Sequence, residues 1–414
     1  REIDAVSLML LLDCNDASLR LWCNGQDTFL MGIAWFTEGH YQFGHAAWQQ
    51  ARRSPREINN RYWHRLSTQP LSPALGPARH TADLVHAHLE TLLRDVSGEL
   101  ALVIPGAMEP DQRSLLLGII ETLQVTPCAV VHRSALVGAG IAEGCAHIEL
   151  HLHQASITPV HIQHGMATTG ETQLLPGFGL LGLIDDIAEI IGQQFVSQTR
   201  FDPQRRADTE QALYEQIPAL LEALATQSEV SCSVEGHTAR ISADALRTVG
   251  QRFSAALAPL IPTDTPLIAF DSLLSSLPGL SLSSKQGQLL RTQAVSPDAI
   301  LSGATHLSRD NDELVFQRQV VCTGASQSDT AAPQTRAADK PLASHYLIAG
   351  HAATLIPGRI IAPGVSVTGA TQIAITSDIE VRLNGETVDG DLTIKVGDHL
   401  VTGGVEVHFI TVES

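Results

Sequence analysis

Histidine and carboxylate side chains cluster at one place in this chain. His147, Glu149, His151 and His153 alternate along one stretch, with His161 and His164 following. In a strand such alternation puts all four on one face. Two or three of them could ligate zinc or nickel. Strand spacing alone does not converge ligands on one ion, so a polar strand face lining a cleft is the preferred reading, and no metal is expected. A second cluster, Ala51-Arg-Arg-Ser-Pro-Arg56, could hold an anion, but reads first as a solvated face. Other chemistries lack their residues. The chain has no Gly-x-Ser-x-Gly nucleophile elbow and no Gly-x-x-x-x-Gly-Lys-Ser phosphate loop.

The elements that must position these groups follow from hydrophobic periodicity. Leu84, Val85, Leu89, Leu92, Leu93 and Val96 recur at helical steps and predict a helix over 81–97. Leu100–Ile104 is a short apolar run suited to a buried strand. Helices are expected from Pro110 to about Leu123, from Ser134 to about Glu143, over 184–195, 207–226 and 242–260, and over 284–292. Strands are expected at 6–12, 19–23, 129–131, within 148–162 and at 267–270, with a hairpin around Glu235-Gly236. This alternation predicts an α/β architecture with helices packed on sheets. Residues 323–343 are small and polar and read as a flexible linker. From His345 onward short β runs are broken by turn signals such as Asn384-Gly385 and Asp389-Gly390, predicting a small all-β sandwich or barrel.

Composition sets the outer bounds. The 414 residues suffice for two or three domains. Hydrophobic residues make up 44% and charged residues 17%, which excludes a disordered chain. Lys and Arg total 26 against 44 Asp and Glu, a net charge of −18. Nucleic acid is therefore not expected as a partner, because binding it rests on Lys/Arg–phosphate contacts. The six cysteines, Cys14, Cys23, Cys128, Cys145, Cys232 and Cys322, form no Cys-x-x-Cys pair. Scattered thiols suit a reducing compartment. The longest apolar run, near 174–184, is far below the ~18–20 residues a span needs. A cytoplasmic protein with no membrane partner is expected.

Leu11-Leu-Asp-Cys-Asn-Asp-Ala-Ser, Phe43-Gly-His-Ala-Ala-Trp48 and Val103-Ile-Pro-Gly-Ala-Met-Glu-Pro-Asp-Gln-Arg113, taken in order with later segments of the first 310 residues, resemble the nucleotide-binding domain of the seventy-kilodalton heat-shock chaperones, in the actin-like ATPase superfamily. Leu11-Leu-Asp-Cys-Asn-Asp-Ala-Ser stands where that family has its first phosphate loop, and Phe43-Gly-His-Ala-Ala-Trp48 resembles its Val-Gly-Asp-Ala-Ala-Lys. Val103-Ile-Pro-Gly-Ala-Met-Glu-Pro-Asp-Gln-Arg113 is similar to its Val-Pro-Ala…Gln-Arg passage. Val131-His-Arg-Ser-Ala-Leu-Val137 lies where it has Asn-Glu-Pro-Thr-Ala-Ala-Ala. Ile148-Glu-Leu-His-Leu-His-Gln-Ala-Ser-Ile-Thr158 replaces the second phosphate loop, and Gly179–Phe195 resembles the helix after Gly-Gly-x-x-Phe-Asp. Ala269–Pro278 stands at the adenosine loop. Ser296-Pro-Asp-Ala-Ile-Leu-Ser-Gly-Ala304 resembles the closing Asn-Pro-Asp-Glu-Ala-Val-Ala-x-Gly-Ala.

The resemblance implies a two-lobed domain over 1–310, with lobes at about 1–145 and 146–308; the change in composition adds a linker over 311–344 and a separate β domain over 345–414. It places Asp13, Asn15, Trp48, His132, Glu149, His151, His153 and Ser275 around the family's nucleotide site. The chemistry there is worn. Phosphate loops use glycine so that backbone N–H groups can reach the phosphates, yet the first loop has Asn15 and the second His151, Leu152 and His153. The family's phosphate-contacting lysine is matched by Trp48, and a glutamate near metal and water by His132. The adenosine loop has Ser272, Leu273 and Ser276 for two glycines and an arginine.

The expectation is a non-hydrolysing pseudo-ATPase of chaperone type, with no catalytic residues and no cofactor, working as an interaction or regulatory module for a protein partner. The alternative is an ATP-dependent chaperone holding ATP or ADP with magnesium. In the last 100 residues, Val381-Arg-Leu-Asn-Gly-Glu-Thr-Val and Ile394-Lys-Val-Gly-Asp-His-Leu-Val resemble the second half of a forkhead-associated domain. The Gly-Arg…Ser-x-x-His phosphothreonine signature is not found ahead of them, so packing or docking is expected there rather than phosphopeptide binding.

Overall fold

The computed structural model of the chain describes residues 10–283, 287, 289–307, 314–322, 343–348, 351–375, 381–384, 386–396, 398–403 and 405–410. The chain divides into two compact units, Arg1–Ser326 and Gln327–Ser414. The larger is a mixed α/β unit. Its helices are α1 (His45–Trp48), α2 (Thr81–Leu92), α3 (Pro110–Ile120), α4 (Arg133–Ile141), α5 (Leu180–Thr199), α6 (Ala207–Leu224), α7 (Ala243–Leu257) and α8 (Pro297–Gly303).

Two sheets carry the larger unit, and they repeat one plan. In the first, Leu10–Asp13 pairs antiparallel with Arg20–Cys23, which pairs antiparallel with Gln26–Phe29. On its other side Leu10–Asp13 pairs parallel with Gly98–Ile104, and that strand with Val125–His132. In the second, Cys145–Leu150 pairs antiparallel with Gln154–Gln163, followed by Met166–Thr169. On its other side come Ile268–Asp271 and Thr292–Val295, both parallel. Three antiparallel strands followed by two parallel ones thus occur twice.

The central parallel strands are buried along their length. Leu10–Asp13 and Cys145–Leu150 expose no residue. Such strands read as near-continuous apolar runs because both faces are covered. Helix α4 lies between the two sheets. Leu11, Val103 and Val131 of the first sheet share one core with Ala135, Leu136 and Ala139 of the helix and with Cys145, Val160 and Leu267 of the second. Small residues allow this close packing. A Cβ on Gly138 would stand 2.5 Å from Val160 Cγ1. A Cβ on Gly140 would meet the Ala299 carbonyl oxygen at 2.3 Å, and one on Gly303 of α8 the Leu136 carbonyl oxygen at 2.1 Å.

Two expectations are corrected here. Residues 284–292 were expected to form a helix. Of those described, Leu289 makes an isolated antiparallel bridge with Ser283, and Thr292 opens a strand. Pairing with the apolar strand Ile268–Asp271 overrides the local helical spacing. The expected linker over 311–344 starts too early. Phe316–Gln317 pairs parallel with Val125–His132 in the first sheet, and Gln319–Val321 pairs antiparallel with Met166–Thr169 in the second. Composition missed these strands because each is only two or three residues long. The expected flexible stretch over 323–342 lies outside the described residues.

The smaller unit is all-β in its described residues. One sheet has the order His351–Thr354, His345–Ile348, Val405–Ile410, His399–Thr402, Val381–Leu383, Glu386–Thr387. The other runs Ile360–Ala362, Val365–Gly369, Gln372–Ile375, Gly390–Thr393. Val365, Val367, Ile373, Val381, Leu400, Val407 and Phe409 form one buried core between them. Among the described residues, no helix is long and apolar enough to cross a membrane.

Candidate functional site

The carboxylates gather where parallel strands end, the place where open α/β sheets bind ligands. Asp13 and Asp271 are the last residues of Leu10–Asp13 and Ile268–Asp271, and Glu149 is next to last in Cys145–Leu150. Into this group reaches the first residue of α4. The Arg133 Nε donates to Asp13 Oδ2 at 2.9 Å, and its Nη1 donates to Asp271 Oδ1 at 2.8 Å. Glu149 Oε1 lies 3.7 Å from the same Nη1. All four residues are buried.

A second layer holds the carboxylates in place. Asp271 Oδ2 accepts from the Leu150 N–H at 2.9 Å. Glu149 Oε2 accepts from the Gly106 N–H at 2.8 Å and from Ser156 Oγ at 3.3 Å. Ser156 Oγ in turn contacts His151 Nε2 at 3.1 Å. His147 Nδ1 contacts Ser134 Oγ at 2.9 Å. His132 caps α4, accepting from the Ser134 N–H through Nδ1 at 3.2 Å. Asp16 Oδ1 accepts from the Leu152 N–H at 2.9 Å, tying the first loop to the second.

The charges respond to burial and to one another. Burial pushes the Asp13 carboxyl up, and Arg133 only partly offsets this. Burial also raises Asp271 and Glu149, but the guanidinium, the neighbouring histidines and, for Asp271, the Leu150 N–H together outweigh it and leave both below the usual carboxylate range. The same three carboxylates overcome the desolvation of Arg133 and hold it firmly charged. His132 goes the other way, lowered to about 4 chiefly by burial, so its imidazole is neutral near pH 7.

Not every expected site residue belongs to this centre. Asp13, Glu149 and His151 do, and His132 borders it. Asn15 caps its own loop, its Oδ1 accepting from the Ala17 N–H at 3.0 Å. Trp48 is packed in the core against Tyr214, with ring centroids 6.2 Å apart, and its carbonyl accepts from Gln211 Nε2. His153 turns away, its Nε2 against the Asn60 carbonyl at 2.8 Å and its ring 5.6 Å from that of His64. Trp48 and His153 instead line a cleft of about 650 Å³ together with Arg52 and Arg61. Ser275 is exposed at the end of a short turn and lines no part of the centre. The neighbouring Ser272 and Leu273 do, bordering a cavity of about 190 Å³ with Asp13, Arg133 and Asp271.

The alternating His/Glu face also divides. His147, Glu149 and His151 meet, but the cation among the carboxylates is Arg133, while His161 and His164 are exposed. Sequence reasoning missed Arg133, Asp271 and Asp16. A signal existed for Arg133. It is a single cation between the apolar run Ala129–Val131 and the small-residue helix that follows, a position that burial would deny to an unpaired charge.

The turn at the second loop is closed as well. The N–H groups of Leu180 and Leu181, at the start of α5, donate to the carbonyls of His151 and Leu152 at 2.8 and 3.1 Å. A Cβ on Gly179 would lie 2.4 Å from Gln154 N. Helix-start donors that would suit an anion are thus spent on the protein's own backbone. No family model matches this chain, and no curated protein matches it.

Proposed function

We propose that the larger unit is a two-lobed, actin-like fold of the heat-shock-chaperone kind that no longer hydrolyses ATP. In this reading the chain acts as a protein-interaction or regulatory module. The observation that carries the proposal is the Arg133 guanidinium seated among Asp13, Asp271 and Glu149. Phosphoryl transfer is almost wholly positioning and electrostatics, with metal ions gathered by carboxylates and phosphates cradled by glycine loops. Here the carboxylates are already paired with a resident guanidinium, which occupies the place among them that a cation would take. The loop that would cradle phosphate carries His151, Leu152 and His153, and its neighbouring helix start is bonded to the loop itself. The repeated sheet plan supports the two-lobed reading.

The test is calorimetric titration of the whole chain with MgATP, followed by a phosphate-release assay. The expected result is no detectable release and no saturable binding below the millimolar range. Micromolar MgATP binding, with hydrolysis abolished by Asp13→Ala, would defeat the proposal and make the protein an ATP-dependent chaperone.

A further inference from the structure

The geometry of the smaller unit points to a zinc site formed by His399, Glu406 and His408. His399 and His408 stand directly opposite each other on the antiparallel strands His399–Thr402 and Val405–Ile410. Glu406 precedes His408 by two residues and so faces the same way. The intervening Val407 and the following Phe409 point inward to the core. All three candidate ligands therefore project from the outer face of the six-stranded sheet, and their donor atoms lie within 4.8 Å of one another.

Two features distinguish this trio from a chance surface cluster. First, the imidazoles are stacked, with centroids 4.3 Å apart and planes 15° apart. His399 Nε2 is shielded from solvent without a hydrogen-bond partner, and Glu406 Oε2 stands 3.8 Å from it. Second, the backbone at His399 is clamped on both sides. The His399 N–H donates to Asn384 Oδ1 at 2.9 Å, and the Asn384 N–H donates to the His399 carbonyl at 2.7 Å. Asn384 Nδ2 donates to Asp398 Oδ1, and Asp398 Oδ2 accepts from the Lys395 N–H. Asn384 and Asp398 belong to the two segments that resemble a forkhead-associated domain. Here they fix one metal ligand in place, the pre-organisation a metal site requires.

Two imidazoles and a carboxylate suit zinc, which takes such ligands at about 2.0–2.2 Å in tetrahedral geometry. Ligand atoms around such an ion are separated by about 3.3 Å. The trio reaches that spacing by closing in by up to about 1.5 Å, which side-chain rotation supplies because His408 and Glu406 are exposed. Three protein ligands leave a fourth position for water or for a ligand from outside the chain.

The experiment is a zinc titration of the whole chain, stripped with a chelator and followed by calorimetry. One equivalent of zinc is expected to bind in the micromolar range. Glu406→Gln should weaken binding by about tenfold or more, and the double variant His399→Ala/His408→Ala should abolish it. Absence of saturable binding, or binding unchanged in the double variant, would overturn the assignment. If the double variant does not fold, the wild type decides by imidazole NMR. Zinc must shift the His399 and His408 resonances, and unmoved resonances refute the site.

Discussion

Arg133 donates to Asp13 across 120 residues of sequence, from the start of a helix to the end of the first described strand. The contact joins two parallel strand ends of the same sheet through a side chain rather than a ladder. It also draws in Asp271 from the second sheet, so one guanidinium fixes the relation of both sheets at their carboxyl ends.

Removing that guanidinium leaves three buried carboxylates without their counter-charge. Arg133→Met is expected to lower stability by about 3–5 kcal/mol. Urea unfolding measures the loss. Adding Asp13→Asn and Asp271→Asn to Arg133→Met should recover part of it, and no recovery would mean that the pairing is not the source.

Acid should act on the centre in two opposed ways. Asp271 and Glu149 are held below their ordinary values, so their contribution is complete above about pH 4.5 and is lost as pH falls through the lowered folded values. Asp13 is raised above 3.8, so the native state keeps that proton longer than the unfolded chain, and stability falls as pH rises through this window. Thermal midpoints followed between about pH 2 and 6 should therefore show a shallower acid limb in Asp271→Asn. Asp13→Asn should remove the opposing slope.

A separate acid response comes from His88. It is buried beside Tyr62 and Trp63 and stacked on Phe43 at 4.5 Å. Its Nδ1 accepts from the Trp63 indole N–H at 3.1 Å and lies 2.7 Å from the Tyr62 hydroxyl. Burial lowers this imidazole from 6.5 to about 3. Stability from keeping it neutral is present above pH 6.5 and is lost as pH falls toward 3. His88→Gln should flatten that limb and cost about 1–3 kcal/mol at neutral pH through imperfect hydrogen bonds. Unfolding at neutral and mildly acid pH compares the two.

The contact between α4 and α8 tolerates no added carbon. Gly303→Ala drives a Cβ onto the Leu136 carbonyl, and Gly140→Ala one onto that of Ala299. Each should destabilise by about 1–3 kcal/mol, and the pair by less than the sum, since the first displacement makes room for the second. Thermal melts of the single and double variants check this.

The buried strands and most helices are legible in the sequence because their periods are local. Leu100–Ile104 and the apolar spacing of α2 need no tertiary information, and turns fall at polar breaks such as Glu235-Gly236 and Asn384. The centre is only half legible. Asp13 and Glu149 stand out by type and spacing within their own segments, whereas Arg133 and Asp271 acquire meaning only when strands far apart in sequence end side by side. Trp48 shows the reverse error. Its position in a motif points to the centre at Asp13, but its large apolar ring packs in the core beside Tyr214 and borders a different cleft.

The short strands over 316–321 work as a stitch. One segment closes an open edge of the first sheet and then an open edge of the second. A chain ended at residue 310 would leave both edges with unpaired N–H and C=O groups, ready templates for another molecule's strand. Such a shortened protein should self-associate more readily than the longer one. The same stitch tethers the sheets to each other, restricting how far they can part without breaking hydrogen bonds on one side.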